Sequence, residues 1–208
     1  MKGFFITFEG GEGAGKTTLI DGIEAHFKAS ERPLLRTREP GGTLLGESVR
    51  NLLLSSSSKI SSHAELCLFL ASRAQHVEEV IGPSLKSGKV VLCDRFNDSS
   101  IAYQGGARGL GIEKVSEICS FACQGLEPDL TIYLDIDPAI GLARARRVRE
   151  QDRIEAETIT FHAKIREIYH LLHKLHPKRL HLIDASKSPD EILKEALILI
   201  YHKMSVHV

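Results

Sequence analysis

The chain has no surplus of either charge. Lysine and arginine total 27, aspartate and glutamate total 27, so no net positive field exists to recruit nucleic acid. It also has no apolar run near the ~20 residues of a membrane span. Glu9 interrupts the apolar stretch at the N-terminus, which argues against a secretory leader. Only four cysteines occur (Cys67, Cys93, Cys119 and Cys123), and their spacing is not that of a zinc site. Cys119 and Cys123, four residues apart, read as small buried hydrophobes in a reducing compartment. The ten histidines form no ligand pattern, and His170, His173 and His176 are expected on a solvated helix. No internal repeat is present, and Ser55 to Ser58 read as a loop. These absences leave a soluble, cytoplasmic globular domain that works on neither nucleic acid nor membrane. At 208 residues it is long enough to bury roughly 70% of its unfolded surface.

The most informative feature present is Gly10-Gly11-Glu12-Gly13-Ala14-Gly15-Lys16-Thr17-Thr18, which satisfies G-x-x-x-x-G-K-[ST]. The glycines let successive backbone N–H groups converge on one centre. Lys16 adds a point charge for the outer phosphates of a nucleotide, and the Thr17 hydroxyl suits Mg²⁺. Phe4-Phe5-Ile6-Thr7-Phe8 reads as the buried strand before the loop. Thr18 to Phe27 reads as the helix after it, with its positive end at the phosphates. This spacing points to a nucleoside-triphosphate site.

Strand-like runs recur at 3–9, 34–37, 89–93, 130–136 and 179–183, with helical patterns between them. The alternation predicts an α/β fold, a three-layer P-loop NTPase sandwich with a central parallel five-stranded sheet and helices on both faces. Ligands of such sheets sit outside the carboxyl ends of the strands. The last helix is signalled by Ser188 as N-cap, Pro189 as first residue and Glu191 as reciprocal partner, with Ile192, Leu193, Ala196, Leu197 and Ile200 as core contacts.

Two further segments carry charge in telling places. Lys89 to Cys93 runs into Asp94-Arg95. An acid ending a buried strand is suited to support Mg²⁺, and the following arginine to hold a phosphate. The alternatives are a turn-forming Asp and a structural ion pair. Residues 142–155 hold the cluster Arg144, Arg146, Arg147, Arg149 and Arg153. On one continuous helix, Arg146, Arg149 and Arg153 would share a face, with Arg144 and Arg147 pointing elsewhere. Like charges on one face suit a mobile lid that closes on a triphosphate and brings arginine to the transferred phosphoryl. A solvated charged helix and an RNA-binding patch are the rival readings, the latter weakened by the absence of interleaved aromatics.

The chain resembles the bacterial thymidylate kinases, P-loop nucleoside-monophosphate kinases. The resemblance rests on Glu9 to Thr18, Thr37-Arg-Glu-Pro-Gly-Gly-Thr43, Phe69-Leu-Ala-Ser-Arg73, Asp94-Arg95-Phe96, Ala102-Tyr-Gln-Gly-Gly106 and Asp152-Arg-Ile-Glu155, in that order. It implies one kinase domain over 1–208, with the P-loop at 10–17, an acceptor region at about 38–73 and 94–108, and a lid at about 142–155. It implies transfer of the γ-phosphoryl of ATP to dTMP with Mg²⁺ on the route to dTTP, by a homodimer.

Residue by residue, the resemblance places Phe69 stacked on thymine, although core packing is the alternative. Arg73 would hydrogen-bond the base edge one helical turn on. Ser99, Ser100 and Gln104 fall in the acceptor site, Ser100 and Gln104 at the base, and Tyr103 beside C2′, where a ribose hydroxyl would clash. Arg95 and Arg50 would hold the acceptor phosphate, with Glu39 in the loop beside it; capping or surface pairing is the alternative for Ser100, Glu39 and Arg50. Glu12 would position sugar and phosphate, and Thr17, Asp94, Glu9 and Glu155 are the candidates for the metal, directly or through water. Catalytic charge falls to Lys16, Glu12, Arg95 and the lid arginines Arg146, Arg149 and Arg153.

Two departures stand out. Phe96 replaces a frequent Tyr or His, which would remove a hydrogen-bonding group near the phosphate. The lid reads Arg-Ala-Arg-Arg-Val-Arg rather than a strict alternation. With no arginine inside the P-loop, the lid must supply that charge. Another small kinase, or a nucleotide-switch ATPase that needs no acceptor, would share the P-loop but not the Phe69, Arg73 and Gln104 set.

Overall fold

The computed structural model describes residues 3–55, 59–147 and 152–206. Five strands form one sheet: β1 (Phe4–Gly10), β2 (Leu34–Arg38), β3 (Val90–Asp94), β4 (Leu130–Asp135) and β5 (Leu180–Asp184). Their order is β2-β3-β1-β4-β5, and every neighbouring pair is parallel. Each expected strand is present within one or two residues. The pleat explains why β1 is buried throughout. Phe4, Ile6 and Phe8 face one layer, where they meet Leu19, Ile20, Ile23 and Phe27 of α1 (Lys16–Ala29) and Ile192, Ala196 and Ile200 of α9 (Pro189–Val206). Phe5 faces the other layer with Val91, Cys93, Phe96 and Cys123. A strand covered on both faces leaves no position for alternating polarity.

The remaining helices are α2 (Leu44–Leu54), α3 (Ser62–His76), α4 (Gly82–Lys86), α5 (Asn97–Ser100), α6 (Ile112–Ala122), α7 (Pro138–Arg146) and α8 (Ile159–Leu175). A π-helical stretch, Ile101–Ala107, continues α5. The capping box predicted for α9 forms: Ser188 N–H donates to Glu191 Oε2 at 3.0 Å and Glu191 N–H to Ser188 Oγ at 3.4 Å. No described helix is long and apolar enough to cross a membrane.

Two expectations need correction. The segment 142–155 is not one helix: α7 stops at Arg146, and Asp152 Oδ1 accepts from the N–H groups of Ile154 and Glu155 at 2.9 Å each, folding 152–155 into a side-chain-capped turn. Residues 148–151 lie outside the described residues, and so does Arg149. His170 and His173 are not simply solvated. His170 Nε2 lies 3.2 Å from Asp135 and His173 Nδ1 lies 2.8 Å from the Leu180 carbonyl, while His176 is exposed.

Candidate active site

Register brings the site together. Phe8 pairs with Asp94, Asp94 with Arg38, and Gly10 with Leu134, so the carboxyl ends of β1, β2 and β3 share one edge. A cavity of about 770 Å³ opens there. Its nucleotide end is the loop Glu12 to Thr17. Gly13 has φ +66°, and a Cβ on it would fall 2.0 Å from the Gly141 carbonyl oxygen, so only glycine lets the loop run against α7. Lys16 Nζ folds onto the carbonyls of Gly10 at 3.1 Å and Gly11 at 3.4 Å. Burial, reinforced by Arg95, lowers its pKa, which marks the ammonium as short of compensating charge. Gly10, Gly11 and Thr18 do not themselves line the cavity.

Arg95 stands at the junction of the two ends. Its φ of +70° is left-handed, unusual for a residue with a Cβ. Backbone and side chain are both fastened. Its N–H donates to the Phe8 carbonyl at 2.9 Å, Nη2 to Glu12 Oε1 at 2.8 Å and Nη1 to Ser99 Oγ at 3.2 Å, and the guanidinium lies 5.1 Å from the Tyr103 ring centroid. The acceptor end is lined by Glu39, Arg50, Phe69, Arg73, Ser99, Ser100, Tyr103 and Gln104. The last four fall at i, i+1, i+4 and i+5 along α5 and the π-helical stretch that continues it, and all four line the cavity. Arg50 Nη1 donates to the Pro40 carbonyl at 3.0 Å.

The structure redistributes several expected roles. Arg73, 1% exposed, donates from Nε to Glu39 Oε2 at 2.7 Å, from Nη1 to Ser100 Oγ at 3.0 Å and from Nη2 to the Phe96 carbonyl at 3.1 Å. These bonds engage all three of its nitrogens in the protein. Glu39 is likewise engaged, with Oε1 3.0 Å from His76 Nδ1. Glu39 and Ser100 are thus paired with Arg73 inside the protein, not at the surface, while both still line the cavity. Phe96 is fully buried, its ring centroid 5.0 Å from that of Phe5, so it faces the core and not a phosphate.

Glu9, a metal candidate directly or through water, has both carboxylate oxygens engaged by protein groups. Its Oε1 accepts from the Phe96 N–H at 2.8 Å, its Oε2 from Ser99 and Tyr169 hydroxyls at 2.6 Å each, and it does not line the cavity. Burial and the neighbouring Asp98 push its pKa up to about 7. Among the lid arginines, Arg146 is exposed and Arg153 is turned away. Arg153 Nε donates to the Leu53 carbonyl at 2.9 Å, and Nη2 lies 2.6 Å from Glu65. Neither lines the cavity; Arg144 does, with Nη1 on the Ala185 carbonyl at 3.0 Å.

The donor set fits a hard divalent cation. Asp94 Oδ1 is buried without a hydrogen-bond partner, and Asp94 shares the cavity wall with Thr17 and Glu155. Glu155 is pushed up to about 7 by burial and by a hydrogen bond and charge from Glu12. For an acid raised in the folded state, the stabilisation is complete below its ordinary value of 4.5 and is lost as pH rises through about 7. Glu155→Gln should therefore flatten the fall in stability between about pH 4.5 and about pH 7. Urea unfolding at a series of pH values measures this, and an unchanged slope would remove Glu155 as the titrating group.

Sequence reasoning does not single out Glu65, Arg38 or Arg108. Glu65, Ser72, Arg73 and His76 form a buried polar stripe on α3, and their i, i+7, i+8, i+11 spacing is the signal that could have found the first of them.

A thymidylate kinase family model matches residues 8–196. Thymidylate kinase of Protochlamydia amoebophila is 50% identical over 206 residues, covering 95% of this chain and 92% of the relative. That of Geobacillus thermodenitrificans is 46% identical over 98% of this chain and 92% of its own. The crystal structure of thymidylate kinase from Ehrlichia chaffeensis superposes with a TM-score of 0.78 at 32% identity, covering 97% of this chain and 99% of that one. With the family model matching residues 8–196 and relatives this similar over nearly its whole length, the chain belongs to the thymidylate kinase family.

Proposed function

We propose that this chain transfers the γ-phosphoryl of ATP to the phosphate of dTMP, giving ADP and dTDP. The observation that carries the reading is a cavity with the phosphate loop at one end and Arg95 tied to Glu12 at the other. An anion held by Lys16 and the loop amides then faces an anion held by Arg95 and Arg50. Such chemistry asks mainly for alignment and charge neutralisation. Thr17 and Asp94 would hold Mg²⁺, with Glu155 beside them; when bound, the ion neutralises phosphate charge. Arg144 replaces Arg146 and Arg153 as the described lid arginine best placed for the transferred group, because it alone of the three borders the loop.

ADP release measured with dTMP, dUMP, dCMP, thymidine or no acceptor tests the reading. Turnover that requires a pyrimidine deoxynucleotide supports it, and equal release without acceptor would reduce the protein to an ATPase. Tyr103 supplies a second test. Its ring is fixed between Arg95 and Phe161, whose centroid lies 6.2 Å away, so it is a rigid wall. Tyr103→Ala should raise kcat/KM for the ribose monophosphate relative to the deoxy form by at least about tenfold, since rejection by clash is strong while the wall stands. An unaltered ratio would remove Tyr103 from sugar selection. The family resemblance further implies a homodimer. Leu44, Leu45 and Leu52 on α2 and Phe121 on α6, exposed by 92%, 46%, 54% and 86%, are apolar surface a second copy would cover. All four cysteines are unpaired, as suits a cytoplasmic enzyme.

A further inference from the structure

Gln104 lines the cavity at the acceptor end, and its side-chain amide has two different halves. One is a pair of N–H donors, the other a carbonyl acceptor, and which half meets a ligand depends on what holds the other. Here Gln104 Nε2 donates to Glu65 Oε1 at 2.7 Å. Glu65 is 1% exposed and sits on α3, one turn before Phe69. An ionised carboxylate only accepts, so it can hold the amino half of Gln104 and never the carbonyl half.

Two guanidinium groups keep Glu65 in that state. Arg108 donates from Nε to Oε1 at 3.3 Å and from Nη2 to Oε2 at 3.2 Å, and Arg153 Nη2 lies 2.6 Å from Oε2. Burial alone would raise the Glu65 pKa, but the bonds from Gln104, Arg108 and Arg153 outweigh it and hold the carboxyl below its usual range. Arg108 is itself braced by Glu157 at 2.5 Å and by the Phe161 ring, 4.6 Å from its guanidinium. Three of the five N–H donors of Arg73 are engaged by Glu39, Ser100 and Phe96, and Gln104, beside it in the cavity wall, adds a carbonyl that can accept from a base N–H.

We propose that Glu65, which does not line the cavity, is a specificity-setting positioning residue: it locks the Gln104 amide with its carbonyl oxygen toward the acceptor, so that the site accepts a base presenting an N–H. Thymine and uracil carry that N–H at N3, whereas cytosine presents a bare nitrogen there. Against cytosine the locked carbonyl would meet a second acceptor and be left unpaired, which is the situation in which polar sites discriminate most strongly. The inference rests on the dTMP-kinase reading and deepens it.

The test is the ratio of kcat/KM for dTMP to that for dCMP, measured by ADP release. Glu65→Gln keeps the shape but can donate as well as accept, so Gln104 is free to turn over. The ratio should fall about 10- to 100-fold, the loss of one orientation-specific hydrogen bond. In a Gln104→Leu background the same substitution should change the ratio no further. Arg108→Gln weakens the brace, but Arg153 still pairs with Glu65 Oε2 and keeps it an acceptor-only group, so the variant should lower the melting temperature and keep the ratio. If Glu65→Gln does not fold, Glu65→Asp must retain the ratio and Glu65→Asn, equal in length, must lose it. A ratio unchanged in Glu65→Gln, or one lowered equally by Arg108→Gln, overturns the proposal while dTMP turnover by the unaltered protein leaves the kinase reading standing. Absence of any dTMP-dependent turnover in the unaltered protein would instead remove that reading and this inference together.

Discussion

Lys16→Ala should lower kcat/KM by at least about 10²–10³, the usual consequence of deleting one preorganised charge that stabilises a phosphoryl-transfer transition state. The unfolding midpoint should hardly change. In the folded chain Lys16 makes only two bonds to loop carbonyls, at 3.1 and 3.4 Å, and burial already disfavours its charge. Removing it therefore costs little packing. The loop shape rests elsewhere, on the left-handed Gly13 and Gly15 and on the close passage of Gly141. Steady-state kinetics together with thermal unfolding separate the two effects. Near-normal kcat with intact fold would take the loop out of the chemistry, and a large drop in melting temperature would show that the lysine is structural.

Arg73→Ala should have the opposite signature, a large loss of stability. Three of its bonds disappear at once, and Glu39, 4% exposed, keeps only His76 as partner. Stranding one member of a buried ion pair typically costs about 3–5 kcal/mol. For a domain of this size that corresponds to roughly 6–20 °C in melting temperature. The guanidinium also lies 5.3 Å from the Phe96 ring centroid, and the same substitution removes that cation–π attraction. Arg73→Lys should recover only part of the stability, because a single ammonium cannot replace a fork that reaches Glu39, Ser100 and a carbonyl together. Were Arg73 chiefly a reader of the base, KM for dTMP would rise with the melting temperature unchanged. That result from thermal unfolding and kinetics would refute its structural role.

The contrast between these two residues shows where sequence reasoning holds. Lys16 lies inside a contiguous motif, between a strand and the helix it opens, so its neighbours in sequence are its neighbours in space. The strands are legible for the same kind of reason. Phe4–Ile6 of β1 and Val90–Cys93 of β3 are apolar without alternation, as suits segments buried on both faces. The capping box of α9 is likewise local chemistry over four residues.

The pairing of Arg73 with Glu39 is not legible in sequence because the two are 34 positions apart, and nothing in the spacing reveals which charges a fold will pair. The arginine segment fails differently. Charge spacing does not show whether a helix runs through it, and in the structure Asp152 captures the N–H groups of Ile154 and Glu155 and turns the chain, leaving Arg153 on Glu65. Arg144, expected to point away from the site, lines it instead. Glu65 escapes notice because a single buried acid on a helix looks like any surface acid until its three partners from other segments are known.

Sequence by itself determined the phosphate loop, the order of strands and helices, and hence the edge along which ligands meet the chain. Those properties follow from backbone conformation, periodicity and caps, which act over a few residues. Tertiary structure alone decided which arginines pair with Glu39 and Glu65 and which face the cavity. That choice depends on the desolvation of each charge and on the carboxylate that reaches it, and both are set only when distant segments close over the same buried space.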